Sequence, residues 1–72
     1  MKYLVVIEKT QTGYSAYSPD VLGCVSTGAT LEEVNQNMQE AIAFHIDGLV
    51  EEGLEIPMPS SCSAYVEVEV AA

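Results

Sequence analysis

The 72-residue sequence has no arginine, two lysines, one histidine and two cysteines. Each shortage excludes a class of function. Phosphate binding works by replacing released counterions with protein cations. Lys2 and Lys9 alone cannot do that against eleven carboxylates, so direct nucleic-acid binding is not expected. A membrane helix needs ~20 consecutive apolar residues, and no run approaches that length, which argues against a membrane role. The opening MKYLVVIEK carries a short apolar run, lacks a small-residue cleavage site and meets a charge at once, unlike a signal peptide. A cytoplasmic location is expected. Cys24 and Cys62 lack CxxC spacing, and no further thiols or histidine cluster complete a zinc site. Free, buried thiols, with no metal and no cofactor, are the expectation.

What is present is acidity and apolar residues. The net charge is -9, and 49% of the residues are hydrophobic, which places the chain outside the disordered class. A domain this small buries roughly 60% of its unfolded surface, and such thin cores often gain stability from partners or from self-association. An acidic field attracts basic proteins.

Along the chain, KYLVVIEK (2–9) reads as a strand. Tyr3, Val5 and Ile7 point one way, Leu4 and Val6 the other. Apolar residues on both faces predict a central strand. TQTG (10–13) is a turn in which Gly13 offers positive φ. YSAYS (14–18) is the returning strand, Pro19–Gly23 a corner, and CVSTG (24–28) a short third strand. Thr30 and Glu33 form a capping box. From there Leu31, Val34, Met38, Ala41, Ile42, His45, Ile46 and Leu49 recur on one helical face. The helix is predicted to run to Glu52, ~30 Å, with Gly53 as its left-handed cap and Gly48 an interior weak point of about 1 kcal/mol. After a proline-punctuated connector (56–63), AYVEVEV (64–70) alternates cleanly, with Ala64, Val66, Val68 and Val70 inward. A right-handed crossover would set this last strand parallel to the first.

No residue set reads as catalytic. His45 lies on the apolar helix face without aligned carboxylates and reads as a packing or rim residue. Cys24 lacks a base and an orienting group. Glu8 and Asp20 sit near strand ends, but two-metal chemistry needs more converging acids, and Asp is a standard turn residue. The helix's polar face is more informative. Glu33, Glu40, Asp47 and Glu51 form a stripe without compensating cations at i±4, Glu51 and Glu52 oppose the helix dipole, and Phe44 lies among them as a possible anchor.

The stretch from Tyr3 to Ile42 resembles the HicB-like antitoxin family. The carrying residues are Gly13-Tyr14, Ala16-Tyr17, Pro19-Asp20, Gly23-Cys24, Ser26, Gly28, Thr30, Glu32-Glu33, Asn37 and Glu40-Ala41-Ile42, with EEGLEIPMPS (51–60) as the family's connector. Leu22 replaces the usual proline and Val34 the usual alanine. The resemblance implies an α+β, partial RNase H-like β-β-β-α-β fold: a three-stranded antiparallel meander, a fourth strand parallel to the first, and one helix on one face. It also implies a type II toxin–antitoxin role, binding and neutralising HicA, a small basic mRNA-cleaving toxin. The chain is expected to be a single HicB-like domain over 1–72, without the C-terminal DNA-binding domain many members carry. It is expected not to be an enzyme. The toxin-binding candidates are Glu40, Phe44, Asp47 and Glu51, with Asp20 a second region. A homo-oligomer, dimer or tetramer, is expected from the two-sided first strand. The alternative is an orphan oligomeric binding or scaffold module with no toxin.

Overall fold

A computed structural model describes residues 1–71. The element order is β1 (Val6–Lys9), β2 (Tyr14–Ser18), β3 (Val21–Gly28) and α1 (Leu31–Glu51). The strands form one antiparallel sheet in the order β1-β2-β3, and the helix returns across β3 and β2. The chain is therefore α+β, as the sequence predicts. Two strand limits differ. β1 is shorter than expected, because only Val6–Lys9 face β2, from Val6 opposite Tyr17 to Lys9 opposite Tyr14. β3 is longer and starts at Val21, so the corner shrinks to Pro19–Asp20. The register shifts between Tyr17, opposite Val25, and Ser18, opposite Val21. The intervening residues bulge, and Gly23 (φ 85°) supplies the left-handed conformation that the bulge uses.

Gly13 does not use positive φ. Its lack of a side chain serves close approach instead, since a Cβ there would strike the Gly28 carbonyl oxygen. Gly28 in turn admits the start of the helix: a Cβ on it would fall 2.5 Å from the Val34 nitrogen. The hairpin, β3 and α1 thus meet backbone to backbone at one end of the sheet.

The helix boundaries follow the local signals. Glu33 N–H donates to Thr30 Oγ1 at 3.1 Å. The Glu33 carboxylate reaches back one residue further than a standard capping box and accepts from Ala29 N–H at 3.3 Å. At the other end, Leu54 N–H donates to the Leu49 carbonyl at 2.9 Å and Gly53 N–H to that of Val50 at 3.1 Å. With Gly53 at φ 70°, this is a Schellman cap. Val34, Met38 and Ile42 are buried against Ala16, Val21 and Cys24, flanked by Tyr3, Val5, Ile7, Tyr14 and Ile46. Leu31, expected in this face, is exposed in the first turn.

The largest departure concerns the last strand. Among the described residues, 64–70 form no ladder, and Val66, Val68 and Val70 are 84%, 73% and 85% exposed. β1 is consequently an edge strand rather than a central one. The connector before it is held in two places. Tyr3 donates its hydroxyl to the Pro57 carbonyl at 2.6 Å, and Ser60 and Ser61 then bind Asp20 at the β2–β3 corner, beyond the edge where the strand would pair. The sheet face opposite the helix is bare: Val6, Tyr17 and Val25 lie in one cross-strand row, with Val25 72% exposed.

Candidate functional site

At 100° per residue, Glu33, Glu40, Phe44, Asp47 and Glu51 fall within an arc of about 60° on the outer side of α1. All are exposed, Phe44 at 83%. The structure thus brings four of the five candidate residues onto one ridge. No basic residue occupies the last turn of the helix. Within the ridge, Glu40 accepts a hydrogen bond from Gln36 Nε2 at 3.3 Å, which orients its carboxylate without neutralising it.

The ridge separates two grooves. On the β3 side, Phe44, His45 and Leu49 of the helix face Cys24 across a groove of about 420 Å³. His45 is half-buried on its rim. Cys24 is buried and free, its Sγ 3.9 Å from the Ala41 carbonyl, and burial pushes its thiol pKa up. That shift disfavours the thiolate a nucleophile requires. Cys62 is free as well but exposed, unlike the expectation of two buried thiols. It follows the Asp20-bound serines and leaves the body with the connector. On the β1 side, a larger groove of about 580 Å³ lies between Tyr3 and Val5 and the helix residues Ile42, Ala43 and Ile46.

Asp20, the fifth candidate, is not on the ridge. Its Oδ2 accepts the N–H groups of Ser60 and Ser61 at 3.0 Å each. Its Oδ1 accepts their hydroxyls at 3.0 and 2.8 Å. The Ser61 and Ser60 amides, then the Ser61 hydroxyl, lower its pKa from 3.8 to about 2, because hydrogen bonds to the charged form favour it. In the sequence Ser60 and Ser61 read only as connector residues. Two adjacent serines after Pro59 offer paired donors, a signal that gains meaning only beside an aspartate forty residues away. Glu8 pairs opposite Ser15, toward the hairpin end of β1, whereas Asp20 follows Ser18 at the other end of the sheet. They do not converge. Among the described residues, no group of three or more His, Cys, Asp or Glu side chains is placed to hold a metal ion, and no helix is long and apolar enough to cross a membrane.

Residues 3–70 match the family described as HicB-like antitoxin of bacterial toxin–antitoxin system. Antitoxin HicB 2 of Photorhabdus laumondii is 36% identical over 94% of the chain and 50% of its own length. A 14.9 kDa protein from the rep-hol intergenic region of Haemophilus phage HP1 is 44% identical over 92% of the chain and 50% of its own length. The chain therefore spans about half the length of both relatives. Among solved structures, a chain of the HicA3 and HicB3 toxin–antitoxin complex superposes with a TM-score of 0.70 at 38% identity, covering 82% of this chain and 70% of that one.

Proposed function

The chain belongs to the HicB-like antitoxin family, a family of regulatory binding proteins rather than enzymes, and from that premise we propose that it binds and neutralises a small basic HicA-type ribonuclease toxin in the cytoplasm. The observation that carries this reading is the α1 ridge, where exposed Phe44 stands among Glu40, Asp47 and Glu51 with no basic residue in the last turn. A basic partner supplies the missing counter-charge, steers association and fixes orientation. Phe44 supplies an apolar anchor of the kind that dominates interface energetics. The homologous chain from a toxin–antitoxin complex supports the partner class. Asp20 belongs to the reading as a second contact region, through the β2–β3 corner that it holds to the connector.

The test is an RNA-cleavage assay with the basic toxin encoded beside this gene. The protein is expected to suppress cleavage. Phe44→Ala is expected to weaken binding by roughly tenfold or more, and Glu40→Lys with Asp47→Lys to slow association and flatten its salt dependence. Failure of the unaltered protein to bind or protect would remove the reading. A gene neighbourhood without a small basic frame would favour the orphan binding module instead.

A further inference from the structure

The segment 64–70 is built as a strand but has no sheet. Its residues alternate strictly, with Val66, Val68 and Val70 on one side and Tyr65, Glu67 and Glu69 on the other. All are exposed. The radius of gyration is 14.8 Å and the long axis 55 Å, against about 11 Å for the radius of gyration of a compact chain of this length. An arm therefore projects from the body. An apolar strand left bare in this way is an open template for pairing.

The body, for its part, has a vacancy of matching form. β1 is an edge strand, and the 580 Å³ groove beside it is lined by Tyr3, Val5, Ile42, Ala43, Ile46 and Ile56. A strand added along the outer edge of β1 would direct every second side chain into that groove. The apolar set of the arm has that period. Segments 3–9 and 64–70 are also equal in length.

The arm does not reach this place easily on its own body. Ser60 and Ser61 are tied to Asp20 at the β2–β3 corner by four hydrogen bonds. From there Cys62 and Ser63 would have to recross the end of the sheet, about two and a half strand spacings or ~12 Å. They would do so at nearly full extension while reversing the chain. A second copy removes that constraint, because its β1 edge need not lie within two residues of the clamp that holds the arm.

We propose that the 64–70 arm of one copy adds as a parallel strand to the outer edge of β1 of a second copy, reciprocally, its valines filling the groove between β1 and α1. This exchange completes for the pair the four-stranded sheet that a single copy leaves open, and it commits the Asp20 clamp to setting the direction of exchange. It does not depend on the toxin reading. Added salt screens the repulsion between two chains of net charge -9 and strengthens the exchange, whereas it weakens capture of a basic partner.

The experiment is light scattering on the full chain at micromolar concentration, with amide hydrogen exchange. The unaltered protein is expected at twice the mass of one chain, with the amides of 65–70 protected. Val66→Lys with Val68→Lys, at positions exposed in the single copy, is expected to give a folded species of half that mass with those amides unprotected. Ala43→Lys, which changes only the groove wall, is expected to do the same. A monomer with protected arm amides would show closure on the chain's own sheet and overturn the proposal. So would a monomer with a free arm, or a dimer that survives either variant.

Discussion

The two flanks of α1 are built differently. On the β3 flank, contacts are close and local in sequence. Gly28 lets the helix start lie on the strand, Val34 and Met38 are fully buried, and Asn37 Nδ2 ties the helix to the Thr27 carbonyl at 2.9 Å. On the β1 flank, the sheet ends at an edge, a groove stays open, and the connector is held by a polar contact to Tyr3 before it reaches Asp20 at the β2–β3 corner. The difference shows where stability and interaction reside. Apolar burial near the turn between β3 and α1 makes the body. The far side, with little of its apolar surface covered, is where other chains have reason to bind.

The contrast can be broken most severely at Met38. Met38→Ala empties the centre of the packed flank and is expected to cost about 3 kcal/mol, a large share of a small domain's stability, read as a lowered urea midpoint. Gly48→Ala sharpens the contrast in the opposite direction. A Cβ there meets nothing within 4 Å, so removing the helix-interior glycine is expected to stabilise by about 1 kcal/mol, visible as a raised melting temperature. Asp20→Ala acts on the connector and should leave the unfolding midpoint nearly unchanged. Its readout is local: the Ser60 and Ser61 amides, slow to exchange in the unaltered protein, become fast.

The same clamp predicts a pH dependence. The Asp20 pKa is lowered in the folded state, from 3.8 to about 2. Its contribution to docking is therefore complete above 3.8 and is lost as pH falls through about 2. The Ser60 and Ser61 amide resonances should titrate with that low midpoint. A midpoint near 3.8 would mean that the connector is not docked in solution.

Much of the packed flank was legible in the chain. The capping residues Thr30 and Glu33, the apolar period from Val34 to Ile46 and the cap at Gly53 each rest on residues about one helical turn apart, so spacing alone locates α1. The hairpin at 10–13 was equally plain. The acidic ridge was legible for the same reason, since residues at i, i+4, i+7 and i+11 share a helix face whatever the helix packs against. The open flank was not legible. Alternation marks 64–70 as a strand but carries no information about which edge, or which copy, receives it.

The amino-acid order by itself therefore determined the elements, the charge and the family signature, because each rests on local geometry or composition. Tertiary structure decided what remained. Gly13 is small because Gly28 lies against it rather than because the turn needs positive φ. Asp20 is a clamp rather than a simple turn residue because two serines forty residues later reach it. Residues 64–70 alternate like a strand yet stay outside the sheet, beyond a connector that Asp20 holds at the β2–β3 corner. All three depend on distances between residues remote in sequence, which only the folded chain brings together.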